Sequence, residues 1–141
     1  MDKPSNNWNL SQWVHYLENR TTQEIQLGLT RIQEVAHRLN VHLPRCKVIS
    51  VAGTNGKGST VAALETIYHK AGFTVGAYTS PHLMKFNERI RINLSPISDE
   101  LICDAFELIN AVSRQIILTF FEMTTLAALV CFQKYDLDII I

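Results

Sequence analysis

The feature that most constrains this chain is the run V-A-G-T-N-G-K-G-S-T at Val51 to Thr60. An apolar stretch, residues 47–52, precedes it, and a helical pattern over residues 61–71 follows and stops at Gly72. A strand, a glycine-rich turn and a helix start in that order favour one arrangement, in which the turn lies at the edge of a parallel sheet. A helix N-terminus presents unpaired backbone N–H groups and partial positive charge, a natural site for phosphate. Gly53, Gly56 and Gly58 let the backbone approach phosphate oxygens, and Lys57 adds a mobile cation where β- and γ-phosphates would lie. The run Gly53, Thr54, Asn55, Gly56, Lys57, Gly58, Ser59 and Thr60 is therefore read as a phosphate site for a nucleoside triphosphate.

The spacing departs from the general G-x-x-x-x-G-K-[ST] loop. The first glycine stands three residues before Gly56, and Gly58 follows the lysine where a Mg²⁺-holding hydroxyl is usual. Ser59, Thr60 or a residue elsewhere must then supply that ligand.

Three further segments accompany the loop: Thr79-Ser80-Pro81-His82-Leu83, Asn87-Glu88-Arg89-Ile90-Arg91-Ile92, and Thr119-Phe120-Phe121-Glu122 followed by Thr124-Thr125-Leu126. With Tyr16-Leu17-Glu18 and Leu27-Gly28-Leu29, these motifs resemble the Mur ligase superfamily of ATP-dependent amide-forming ligases. More narrowly, they resemble folylpolyglutamate synthases and bifunctional dihydrofolate synthases. The resemblance runs in order from about residue 13 to residue 141.

That resemblance implies ATP-dependent joining of L-glutamate to dihydropteroate and to folates through an acyl phosphate, with ATP and Mg²⁺ required. It implies Lys57 as the catalytic cation and Ser80 as a metal ligand. The residues alone leave Ser80 equally open to a Ser-Pro turn. His82 is an additional candidate that also suits a loop-shaping role. The resemblance places Glu24, Ile25, Gln26 and Leu27, and Thr119, Phe120, Phe121 and Glu122, at the pterin site. T-F-F-E also reads as a helix capping box with an exposed first-turn glutamate. Arg89 and Arg91 suit an anionic substrate, though solvated strand charges are the plainer reading. The remaining metal ligands and the adenine contacts of the family match no residue before Ile141.

The chain has 141 residues, enough for one compact core, and a formal net charge of zero. No basic stripe points to nucleic acid. No run approaches the ~18 apolar residues that span a bilayer, and the polar start is no signal peptide. Cys46, Cys103 and Cys131 fit no zinc or redox spacing, which suits free thiols in the cytoplasm.

The pattern predicts helices over residues 10–19, 23–39, 61–71, 98–113 and 119–135. It predicts buried parallel strands over 47–52 and 73–78, paired through a right-handed crossover. A short exposed strand is expected within 89–92, and a third strand over 138–141. The expectation is an α/β fold, a P-loop ATPase-type parallel sheet with flanking helices. Because the chain stops inside an apolar strand, residues 1–141 are read as the N-terminal part of a Mur ligase-type ATP-binding domain, with the rest of that domain and a C-terminal domain absent. The full enzyme is expected to be monomeric. Two alternatives stand beside it. One is a nucleotide-binding product without activity; the other is another Mur-type ligase, against which Gly58 argues.

Overall fold

The computed structural model describes residues 7–20, 28–43 and 46–141. The helices are α1 (Leu10–Asn19), α2 (Thr30–Arg38), α3 (Lys57–Lys70), α4 (Asp99–Ser113) and α5 (Phe120–Phe132). The strands are β1 (Lys47–Val48), β2 (Val75–Tyr78), β3 (Ile90–Ile92), β4 (Ser95–Pro96) and β5 (Ile139–Ile140). They fall into two compact units, one of residues 1–42 and 99–131, the other of 43–98 and 132–141.

The first unit is helical. In α1 the Asn9 side chain accepts the Gln12 N–H and the Gln12 side chain accepts the Asn9 N–H, each at 2.9 Å, closing a capping box. Leu10, Trp13 and Leu17 form its buried face, and Trp13 meets Phe106 of α4 at 5.6 Å between ring centroids. Helix α2 packs on α4 through buried Val35. The expected helix over 23–39 is confirmed from Thr30 onward; residues 23–27 lie outside the described residues. Helix α5 opens with the expected capping box: Thr119 Oγ1 accepts the Glu122 N–H at 3.2 Å, and Glu122 Oε2 accepts the Thr119 N–H at 2.8 Å.

The second unit holds a sheet in the order β1-β5-β2-β3-β4. Strand β5 pairs in parallel with both β1 and β2, while β3 and β4 add antiparallel neighbours. The sheet is mixed, and β1 and β2 are not the adjacent pair the sequence predicts. The apolar residues of β5 take the position between them: Lys47 N–H reaches Asp138 C=O at 2.9 Å and Ile49 N–H reaches Ile140 C=O at 2.8 Å. The expected buried strand 47–52 is instead a two-residue edge strand, both residues exposed. Its burial comes later, where Ile49 and Val51 pack with Val61, Val75, Ala77, Ile139 and Ile141. The expected exposed strand is β3, with Ile90 fully buried.

The other face of the sheet rests on Gly76. A Cβ there would lie 2.8 Å from Leu137 Cδ1 and 3.0 Å from Phe132 Cε1. Gly76→Ala therefore overpacks a closed contact and is expected to cost about 1–3 kcal/mol. A lowered urea midpoint at unchanged slope would show it; an unchanged midpoint would mean the two side chains give way freely.

Candidate functional site

The loop between β1 and α3 turns on two glycines in the left-handed region, Gly53 at φ 149° and Gly56 at φ 76°. Gly56 is the N-cap of α3, a conformation that costs any residue with a Cβ about 1–2 kcal/mol. The helix starts at Lys57, four residues earlier than the pattern predicts, because Gly56 C=O already accepts the Thr60 N–H at 3.0 Å. Lys57, Gly58 and Ser59 thus form the first turn, whose N–H groups have no intrahelical acceptor. No acidic side chain lies in that turn to compete for an anion.

Lys57 folds back over its own loop, its Nζ donating to Gly53 C=O at 2.6 Å and to Thr54 C=O at 3.4 Å. Both contacts are exposed, so the ammonium can leave them for an anion. The Thr60 hydroxyl donates to Gly56 C=O at 3.0 Å and stays with the helix. Apart from its own helix backbone and chain neighbours, a Cβ at Gly58 would meet no atom of the described residues within 4 Å. The space beside it is open.

That space belongs to a cavity of about 680 Å³, within the usual size of a small-molecule site. Thr54, Asn55, Gly56, Lys57 and Gly58 line it, together with Thr79, Ser80 and Pro81 from the end of β2. Of the predicted site residues in this sheet-bearing unit, Gly53, Ser59, Thr60 and His82 do not line it. Ser80, joined to Pro81 by a cis peptide bond, is the predicted metal ligand that shares the cavity with the glycine-rich loop. The hydroxyls and loop amides fit a polyanion with a hard cation. Among the described residues no three His, Cys, Asp or Glu side chains form a group able to hold a metal.

Two carboxylates on the cavity wall were missed by sequence reasoning. Glu65 of α3 is 1% exposed. Arg91 of β3 pairs with it through Nε at 3.0 Å and Nη2 at 2.8 Å, and the Leu94 N–H donates to it at 3.2 Å. Arg91 Nη1 also donates to Thr79 Oγ1 at 3.2 Å and Glu88 C=O at 2.8 Å. The signal lay in the helix pattern: Glu65 falls on the stripe of Val61, Leu64 and Tyr68, where a carboxylate needs a partner. Glu88 accepts three backbone N–H groups, from Leu83, Met84 and Lys85, which hold its carboxyl below the ordinary value.

These contacts correct the reading of Arg89 and Arg91 as solvated charges. Arg89 is buried, and its Nε donates to His82 Nδ1 at 2.9 Å. His82 also faces the Phe86 ring, which gives it a place in shaping the loop. In the helical unit, Glu122 is not an exposed glutamate. It is 8% exposed, with Oε1 on Arg31 Nη2 at 3.1 Å, while neighbouring Phe121 is 56% exposed. Glu24, Ile25, Gln26 and Leu27 lie outside the described residues. The cysteines are free, and burial with four nearby acidic residues pushes the Cys103 thiol up to about 11. No helix among the described residues is long and apolar enough to cross a membrane.

No family model matches the chain. A dihydrofolate synthase/folylpolyglutamate synthase of Buchnera aphidicola subsp. Acyrthosiphon pisum is 43% identical over 135 residues, 96% of this chain and 33% of that protein. The crystal structure of a bifunctional folylpolyglutamate synthase/dihydrofolate synthase from Yersinia pestis, complexed with AMPPNP and a Mn ion, matches with TM-score 0.92 and 42% identity, covering 99% of this chain and 34% of that one. Escherichia coli FolC in complex with DHPP and ADP matches with TM-score 0.92 and 41% identity, covering 98% and 33%. The chain spans about a third of the length of these relatives.

Proposed function

We propose, for a chain homologous over almost its whole length to the dihydrofolate synthase/folylpolyglutamate synthases, that it carries the triphosphate-binding part of an ATP-dependent ligase joining L-glutamate to dihydropteroate and folates. The observation that carries this reading is the cavity lined by Gly56, Lys57 and Gly58 at the start of α3 and by Ser80 from the end of β2. A substrate carboxylate oxygen attacks the γ-phosphorus, the bond to ADP breaks, and an acyl phosphate forms. The glutamate amine then attacks the acyl carbon, phosphate leaves, and the amine gives up a proton. Such chemistry depends on positioning and on neutralising charge. The amides of Lys57, Gly58 and Ser59 orient the phosphates. Lys57 exchanges the Gly53 and Thr54 carbonyls for the phosphoryl oxygens on which charge accumulates.

A divalent cation, Mg²⁺ in the cytoplasm, supplies further neutralisation when bound with the nucleotide. Ser80 would hold it together with the phosphate oxygens, and Thr79 lines the same wall. Support comes from the Yersinia pestis relative, crystallised with AMPPNP and Mn. Residues 119–122 and 24–27 are proposed to contact the pterin, with exposed Phe121 offering the stacking surface. Residues 1–141 would then be part of the ATP-binding domain of a monomeric protein with no nucleic-acid or membrane partner.

Gly58→Ala tests this reading. Nothing in the chain opposes the methyl group, and alanine is the better helix former by about 1 kcal/mol. The variant is expected to be at least as stable as the wild type and yet to bind AMPPNP at least about tenfold more weakly, a loss of about 1.4 kcal/mol. Calorimetric titration alongside thermal melts measures both. Equal affinity would mean that no phosphate comes close to Gly58.

A further inference from the structure

The segment between β2 and β3 carries Ser80, and its tip has no packing to fix it: Leu83 and Met84 are 89% and 88% exposed. Side chains that bury nothing give their backbone no hydrophobic hold. Polar contacts from Glu88 take that place. Its Oε2 accepts the Leu83 N–H at 2.7 Å, and its Oε1 accepts the Met84 and Lys85 N–H groups at 2.9 and 2.8 Å. Its own N–H donates to Lys85 C=O at 3.1 Å. At the near end, its carbonyl accepts from Thr79 Oγ1 at 3.3 Å and from Arg91 Nη1 at 2.8 Å. One residue therefore ties both arms of the loop, on either side of Ser80. Hydrogen bonds to an ionised acceptor are the stronger kind, and three converge here.

We infer that Glu88 is a positioning residue for metal–nucleotide binding, holding the loop so that Ser80 stays on the wall of the cavity beside the glycine-rich loop. The inference rests on the reading of that cavity as a metal–nucleotide site. Glu88 lines the same cavity, but both its oxygens are engaged by the loop amides, so its effect on the cation runs through the placement of Ser80. Its loss should therefore spare what the α3 N-terminus and Lys57 do for the nucleotide alone. Glu88→Gln keeps Oε1 for Met84 and Lys85 but sets an NH₂ group against the Leu83 N–H, donor against donor. Glu88→Ala removes both acceptor oxygens and with them all three hydrogen bonds.

The test compares AMPPNP affinity with and without Mn²⁺ for each variant, together with amide hydrogen exchange. The wild type is expected to bind more tightly with Mn²⁺. Glu88→Gln and Glu88→Ala should keep the metal-free affinity within about twofold and lose about tenfold of the Mn²⁺ gain. Ser80→Ala should lose the same gain, and the Glu88→Gln/Ser80→Ala double variant no more than either alone, the mark of one pathway. The Leu83, Met84 and Lys85 amides should exchange faster while those of β2 and β3 stay protected. Faster exchange with the Mn²⁺ gain intact would overturn the inference, and so would an equal loss with and without metal. A wild-type chain that binds no AMPPNP in either condition would remove the nucleotide reading itself, and this inference with it.

Discussion

Replacing Arg91 by methionine is expected to destabilise the sheet-bearing unit by about 3–5 kcal/mol, the usual result of stripping one partner from a buried ion pair. The Glu65 side chain is only 2% exposed and that of Arg91 19%. The methionine leaves the Glu65 carboxylate with the Leu94 N–H alone, and takes a donor from Thr79 and from the Glu88 carbonyl. Set against a typical total stability of about 5–15 kcal/mol, that loss exposes the sheet to frequent opening. It should appear as a lower urea midpoint and faster amide exchange in β2 and β3. Because the cost comes from an orphaned charge, Glu65→Leu/Arg91→Met should be more stable than Arg91→Met alone. If the double variant instead loses the sum of the two single effects, the residues act independently and the pair does not hold α3 to β3.

Lys57→Ala should leave the fold intact, since Lys57 is exposed and bonds only to carbonyls of its own loop. Its expected effect falls on the nucleotide. Removing a donor aimed at developing charge costs about 10²–10³-fold in rate, so a longer protein containing this chain should lose at least that much turnover. AMPPNP binding by the present chain should weaken as well, because the α3 N-terminus would act without the ammonium. Steady-state assays and calorimetry read the two effects. Unchanged turnover with tight binding would remove Lys57 from the mechanism and leave the helix N-terminus as the whole of the phosphate site.

Local features were read most accurately from the sequence. Helix α1 has the predicted bounds because its capping box and its Trp13–Leu17 face are made by residues within one or two turns. The capping box at Thr119 and Glu122 was legible for the same reason. The start of α3 was misplaced because three of the first four helical residues, Gly58, Ser59 and Thr60, look like loop by propensity. A left-handed Gly56 and one hydrogen bond from Thr60 make them helical.

What the sequence determined by itself is short in range: a strand, a glycine-rich loop and a helix in succession, with Ser80 after the next strand. These depend on neighbours whose spacing is written in the chain. Strand order, the mixed sheet and the partners of buried charge were decided only in the folded molecule. Strand β5 separates β1 from β2, although many residues lie between them and β5 in the chain. Glu65 and Arg91 become one ion pair across a separation of 26 residues. A pattern of residue types records that each strand must bury its face and each charge find a counterpart. Which distant segment answers is settled when the sheet closes, by the summed burial and hydrogen bonding of the whole arrangement.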